Sequence, residues 1–433
     1  MAYTEVPTSV QTFMDKMEAL CIDEHPRWAE NFKAGFANTL LTTVRRYDDG
    51  TTFLLTGDIP AMWLRDSTAQ FRPYLVIAKE DKDIRDMIAG LVKRQFRYIN
   101  MDPYANAFNE EANNKGHQSD DTEMTPWIWE RKYEIDSLCY PVQLAYLLYK
   151  QTGETSQFNE DFHEGVKKIL EVWKTEQNHK NSPYSFERDT TRLEDTLSHD
   201  GKGTPVAETG MTWSGFRPSD DACIYGYLVP SNMFAVVVLG YIEEIYSTLF
   251  NEPNIVEEAK QLRLEIDKGI KEHAIVKNAA GEDIFAYEVD GLGGYSIMDD
   301  SNVPSLMAAP YLGYCAKDDD FYLNTRQTLL SKENPYFYEG KFAKGIGSSH
   351  TPENYVWPIA LSIEGLTTDD KAEKERILNL LVDCDGGTNL MHEGFDVDNP
   401  NNFTRDWFSW ANMMFCELVM DYYDIRIDAH YDK

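Results

Sequence analysis

Long irregular segments alternate with paired helical segments along almost the whole of this chain. A helix over about 64–79 is followed, after a very short link, by another over about 81–100, whose Ile84, Met87, Ile88, Leu91 and Val92 share one face. The same order returns at 134–151 with 157–177, 229–249 with 255–276, 303–315 with 319–331, and 353–366 with 369–384. A last helix, 405–425, has no successor and must pair with one near the N-terminus. There, 9–20 and 27–45 carry apolar residues at three- and four-residue spacing (Phe13, Met17, Leu20; Phe32, Phe36, Leu40, Val44). Pairing the two ends closes a ring. The expected fold is therefore all-α, an (α/α)6 toroid of six helical hairpins in a single domain spanning residues 1–433, with minor β-hairpins such as the Asp49-Gly50 turn between TVRRY and TTFLLT.

Proline repeats with the hairpins. Pro73, Pro141, Pro230, Pro310 and Pro358 each precede apolar residues in the first helix of a pair, and the sixth, FTRDWFSWANMMF, lacks one. A proline in an exposed helix interior costs about 3 kcal/mol, so its recurrence predicts helix starts or tolerated kinks in a shared geometry. Short links turn at one end of a ring of helices, which sends the long segments (47–63, 101–133, 178–228, 277–302, 332–352 and 385–404) to the other end. Loops of such length usually carry function. In or beside them lie Asp58, Trp127, Trp129, Trp213, Asp220, Asp221, Asp299, Asp300, His350, Glu353, Asn354, His392, Glu393 and Asp396, so an acidic, aromatic mouth is expected.

Several function classes fall away. With 41 basic against 73 acidic residues and a formal net charge of -32, the chain repels nucleic acid and anionic membranes. Its most apolar run, Met233 to Gly240, is too short to span a bilayer, and the N-terminus has neither a basic nor an apolar signal region. Six scattered cysteines without CxxC spacing suggest reduced thiols rather than disulfides or zinc. A cytoplasmic monomer is expected. There is no G-x-S-x-G elbow, and Ser348-Ser349-His350 sets its histidine too close in sequence for a triad. The glycine-rich run from Asp290 to Tyr295 matches no phosphate loop, and His392-Glu393 lacks the second histidine of a zincin. Asp299-Asp300 lacks calcium-loop spacing, so no metal or cofactor is expected.

What remains is carboxylate chemistry on a polyhydroxylated ligand. In GDIPAMWLRDSTAQFRP, Trp63 offers a ring for a sugar's C–H face, while Arg65, Asp66 and Asp58 offer hydrogen bonds to its hydroxyls. Glycosidic hydrolysis needs one protonated carboxyl at the leaving oxygen and one carboxylate on the opposite face, and no cofactor. The candidates are Asp220 or Asp221 in GFRPSDDACIY, Glu393 in LMHEGFDVDNP, and Asp58 or Asp66. Adjacent like charges should raise the pKa of one member of the Asp220–Asp221 pair, which suits a general acid.

GDIPAMWLRDSTAQFRPYL, TWSGFRPSDDACIYGYLVPSNMFA, SIMDDSNVPSLMAAPYLGY, GIGSSHTPENYVWPIAL and MHEGFDVDNPNNFTRDWFSWANMMF together resemble glycoside hydrolase family 125, exo-acting alpha-1,6-mannosidases, over about residues 10–425. The resemblance implies a six-hairpin toroid, inversion without metal, and a mannose oligosaccharide as substrate. It makes Asp220 the general acid, Glu393 the general base and Asp221 a tuning neighbour. Trp63, Arg65 and Asp66 would line the terminal-mannose pocket, with Asp58, Asp299, Asp300, His350, Glu353, Asn354 and Arg405 as further contacts. Residue chemistry alone does not separate Asp220 from Asp221. It also leaves another toroid enzyme (epimerase, lyase or phosphorylase) or a non-catalytic glycan-binding protein as alternatives.

Overall fold

The computed structural model describes residues 2–427. The protein is mostly helical, with two- and three-stranded sheets at the helix ends. Its helices fall into two kinds. One kind buries a single face, and four of its members begin at a side-chain cap. Asp81 accepts from the N–H groups of Asp83 and Ile84 at the start of Lys82–Met101, Asn159 caps Glu160–Glu176, Asp319 caps Asp320–Leu329, and Asp370 caps Lys371–Asp383. The other kind begins without a side-chain cap and is buried on nearly every side: Leu64–Phe71, Ile135–Thr152, Val229–Ile245, Ala309–Leu312, Pro358–Leu366 and Ser409–Tyr422. A helix buried all round must sit inside the protein. These buried helices are the inner set.

Inner helices touch in chain order. Leu64–Phe71 packs on Ile135–Thr152, which packs on Val229–Ile245, which reaches Ala309–Leu312. Farther on, Pro358–Leu366 packs on Ser409–Tyr422, and that helix returns to Leu64–Phe71. Pro26–Thr43 lies against Ser409–Tyr422, the pairing of chain ends that the sequence predicts. A buried polar knot ties three inner segments together: the Arg72 guanidinium donates to Glu417 at 2.9 Å, and the Tyr311 hydroxyl donates to the same carboxylate at 2.9 Å. Among the described residues, one helical run, Val229–Phe250, is long and apolar enough to cross a membrane, yet it packs between Ile135–Thr152 and Pro253–His273.

The prolines divide as expected between starts and kinks. Pro230, Pro310 and Pro358 stand in first turns, Pro141 lies inside its helix, and Pro73 occupies a 3-10 turn, Arg72–Tyr74, which splits the expected 64–79 helix. The fourth inner helix departs most from expectation, since only Ala309–Leu312 of 303–315 is α-helical. Pro304 and Pro310 both interrupt the backbone ladder, and Gly313 ends the turn at φ 90. The expected 353–366 and 405–425 helices start late, at Pro358 and Ser409, because Tyr355–Val356 and Asn399–Thr404 are strands. The Asp49-Gly50 hairpin is present, pairing Val44–Arg46 with Thr52–Leu54.

Candidate active site

A cavity of about 170 Å³ opens where the inner helices begin. Trp63, Arg65 and Asp66 reach it from the start of Leu64–Phe71, Trp357 from the start of Pro358–Leu366, and Phe408 and Trp410 from the start of Ser409–Tyr422. Ser219, Asp220, Asn302, His350, Glu393 and Arg405 enter from loops. The volume falls below the roughly 300–1,000 Å³ usual for drug-sized ligands, and suits one small ring. A larger cavity, about 840 Å³, lies against Val229–Ile245 and Pro253–His273 on the outer wall. Its cations are internally paired, Lys271 with Asp267 at 2.6 Å and Arg263 with Glu243, so it offers no comparable chemistry.

A tight turn aims Asp220 into the small cavity. The Arg217 N–H donates to the Asp221 carbonyl at 2.7 Å and the Asp220 N–H to the Arg217 carbonyl at 2.9 Å, which forces Asp220 to a φ of 66. Lys132 then holds its carbonyl oxygen at 2.7 Å. Asp221 points the other way, fully buried, accepting from Arg192 at 2.9 Å, the Ser349 hydroxyl at 2.5 Å and His350 Nδ1 at 3.0 Å. The two neighbours are thereby separated: one carboxyl faces the cavity and its partner clamps the loops behind it.

Glu393 is carried at the edge of a three-stranded sheet, Tyr355–Val356, Gly394–Asp396 and Asn399–Thr404. Its N–H donates to the Thr404 carbonyl at 3.2 Å, and Arg405 Nη1 lies 3.8 Å from its carboxylate. Arg405 also donates from Nε to Asp58 at 2.9 Å, so Asp58 steers the arginine from the rim. Gly57 makes this closure feasible: its φ is 145, and a Cβ there would sit 2.4 Å from the Trp407 carbonyl oxygen. Gly57→Ala is expected to lose roughly 1–3 kcal/mol of stability through that strain and clash, read by denaturant unfolding; a wild-type midpoint would refute it.

Four carboxylates surround a single buried guanidinium. Arg65 lies 2.5 Å from Glu134, 3.3 Å from Asp136, 3.4 Å from Asp66 and 3.4 Å from Asp220. Desolvation raises Asp66 and Asp136 to about 6 despite the Arg65 charge. Glu134 is driven well above the carboxylate range by burial, with Asp136 and Asp220 adding to the push. Asp220 goes the opposite way. Burial would raise it, but Arg65, Lys132 and a hydrogen bond with Glu134 outweigh that and bring it to about 2. The rise expected from the Asp220–Asp221 adjacency is therefore absent, because Asp221 is itself turned away and the cations on the Asp220 side dominate. His350 loses charge stability by burial, yet its bond to Asp221 lifts it to about 9, so it carries an imidazolium at neutral pH.

A family model described as metal-independent alpha-mannosidase (GH125) matches residues 25–420. The chain belongs to this family. It is 60% identical to a Streptococcus pneumoniae structure from a family of metal-independent alpha mannosidases, solved as a non-productive substrate complex with alpha-1,6-mannobiose. The TM-score is 0.96, over 98% of this chain and 100% of that one. The meiotically up-regulated gene 157 protein of Schizosaccharomyces pombe is 38% identical over 436 residues, 95% of this chain and 84% of that protein. A bacterial glucoamylase complexed with acarbose shares the fold at 12% identity, with a TM-score of 0.58 over 96% of this chain and 58% of that one.

Within this GH125 glycoside hydrolase, the sequence-predicted residues fall into three groups. Trp63, Arg65, Asp66, Asp220, His350, Glu393 and Arg405 line the cavity together. Asp58, Asp221 and Asp300 stand one layer back, holding Arg405, His350 and the Ser219 hydroxyl respectively. Asp299, Glu353 and Asn354 stand apart. Asp299 is wholly buried and accepts the N–H groups of Leu306 and Met307 at 2.9 and 3.0 Å; burial lifts it to about 8 despite those bonds. Glu353 and Asn354 are exposed, and Asn354 turns at φ 65 to receive the Val397 N–H on its carbonyl. Sequence reasoning missed the mannosidase's Glu134, Asn106 and Lys132, all within reach of Asp220, and the cavity rings Trp357, Phe408 and Trp410. The one available signal for Glu134 and Asp136 was their position immediately before the apolar run from Leu138.

Proposed function

We propose that the enzyme is an inverting exo-α-1,6-mannosidase, removing one non-reducing mannose at a time from oligosaccharides such as N-glycan fragments. The observation that carries this reading is the convergence of Asp220 and Glu393, far apart in sequence, on one small aromatic cavity. Trp63, Trp357 and Trp410 line the cavity with aromatic surface of the kind that packs against a sugar's C–H face. In the proposed reaction Asp220 protonates the leaving oxygen, and Glu393 takes a proton from a water that attacks the anomeric carbon from the other face. Arg405 and His350 hold the charge balance around the two carboxylates.

The finer fold reading belongs with the mechanism. A closed (α/α)6 toroid of six hairpins, acting as one catalytic domain, is supported by the chain-order contacts of the inner helices and by the return of Ser409–Tyr422 to Leu64–Phe71. A monomer in the cytoplasm is the accompanying reading, and the six free cysteines, five of them buried, support the reducing compartment. The test is the anomer first released from α-1,6-mannobiose, followed by NMR before mutarotation. β-Mannose is the expected product. α-Mannose would rule out single displacement.

A further inference from the structure

The cavity holds an unsolved proton problem. A general acid must carry its proton when substrate arrives, yet Asp220 faces Arg65 at 3.4 Å, receives the Asn106 amide at 3.2 Å and has Lys132 on its own carbonyl. These groups all favour the ionised form. Glu134 lies on the other side of the same guanidinium, at 2.5 Å, with its side chain wholly shielded from solvent. Its Oε2 also accepts the Ser137 hydroxyl at 2.7 Å, while Oε1 is buried and receives no N–H or O–H donor. Glu134 and Asp220 sit side by side on that guanidinium, Glu134 on Nη1 at 2.5 Å and Asp220 on Nη2 at 3.4 Å, a placement that lets their carboxyl groups share a hydrogen bond. Two carboxyl groups form such a bond only when one of them carries a proton. Around Glu134 stand Asp66, Asp136 and Asp220 against Arg65 alone, so the cluster's formal charge is relieved by retaining that proton. Lys132 and His350 act on the Asp220 side.

We propose that Glu134 is the proton-holding and positioning partner of the general acid, storing the proton in the free enzyme and passing it along the Glu134–Asp220 hydrogen bond when substrate binds. This rests on the assignment of Asp220 as the acid. The Glu134 carboxyl gives its proton to the Asp220 carboxylate, and Asp220 delivers it to the glycosidic oxygen as the C1–O bond breaks and its electron pair leaves with that oxygen. Glu393 takes one proton from the attacking water, whose oxygen forms the new bond to C1. The Glu393 proton returns to solvent, and one from solvent recharges the pair. Exposure fits the division of labour: the Asp220 side chain is 23% accessible and reaches substrate, while that of Glu134 is 0% and cannot.

Glu134→Gln tests this, because the amide keeps the shape, the contact to Arg65 and a donor toward Asp220, but has no proton to transfer. On α-1,6-mannobiose kcat is expected to fall roughly 10- to 100-fold with KM changed less than about threefold. The alkaline limb of the kcat/KM profile should move to lower pH by at least about one unit, since Asp220 then titrates alone beside its cations. On α-mannosyl fluoride, whose leaving group needs no acid, turnover should stay within about threefold of wild type. Glu134→Asp, which restores a transferable proton, should recover part of the mannobiose activity. Equal losses on both substrates would reduce Glu134 to a structural role and overturn the proposal, as would full mannobiose activity in Glu134→Gln. If Glu134→Gln does not fold, a Glu134→Asp enzyme with no mannobiose turnover but intact fluoride turnover overturns it equally. Asp220→Asn on the same pair of substrates reports separately on the acid: wild-type mannobiose turnover there would remove the underlying assignment, whatever Glu134 does.

Discussion

Asp220→Asn and Glu393→Gln are each expected to lower kcat on α-1,6-mannobiose by roughly 10²–10⁴-fold, the range that general acid and base groups supply. The two losses should differ in kind. Asparagine at 220 cannot protonate the leaving oxygen, so its defect should shrink with α-mannosyl fluoride. Glutamine at 393 cannot take the proton from water, and its defect should persist on both substrates. Neither variant should unfold. Asp220 is one of four carboxylates around Arg65, so the guanidinium keeps three partners when the charge at 220 is lost. Glu393 has its nearest cation at 3.8 Å, too distant for a strong hydrogen-bonded pair. Mannobiose turnover within tenfold of wild type in either variant would take that residue out of its role.

The difference between what was legible and what was hidden follows from the range of the interactions. Ile84, Met87, Ile88, Leu91 and Val92 announce a helix face because the burial they require repeats every turn, a local pattern. Cavity residues such as Trp63, Asp220 and Glu393 stood out because an exposed loop has little use for such side chains unless a ligand meets them. Glu134 sits in the run WERKYEID, from Trp129 to Asp136, which has the charge density of a solvated surface. Its burial depends on Arg65, 69 residues away, and no short-range pattern encodes that. The same limit explains the pKa of Asp220. Adjacency to Asp221 is visible in sequence, whereas the left-handed turn that separates the two side chains, and the cations that receive Asp220, are tertiary facts. The truncated Ala309–Leu312 helix was partly written in Pro304 and Pro310; the capture of the Leu306 and Met307 N–H groups by Asp299 was not.

Arg65→Met should have the largest effect on stability. Removing one partner of a buried ionic cluster leaves uncompensated charge, a loss of about 3–5 kcal/mol for a buried pair, and here four carboxylates share the one guanidinium. The loss should depend on pH with a definite sign. Asp66 and Asp136 already sit at about 6 in the fold, above their ordinary value, because burial outweighs the Arg65 attraction. The native state therefore binds more protons than the unfolded chain between about pH 4 and 6, and stability falls as pH rises through that window. Without Arg65 these groups and Glu134 move higher still, so the window widens upward. Asp220, held at about 2 largely by Arg65, adds in the same direction: its ionised form stabilises the native state above the ordinary carboxylate value, and the variant forfeits that contribution. Below about pH 4 Asp66, Asp136 and Glu134 are mostly neutral in both states, and of the four carboxylates only Asp220 keeps its charge in the fold, down to about pH 2. Urea unfolding of wild type and Arg65→Met at pH 4, 5, 6 and 7 should show a small deficit at pH 4 that grows toward pH 7. A deficit that is constant, or that grows as the pH falls, would mean that Arg65 acts by shape rather than by balancing the charge of the carboxylates around it.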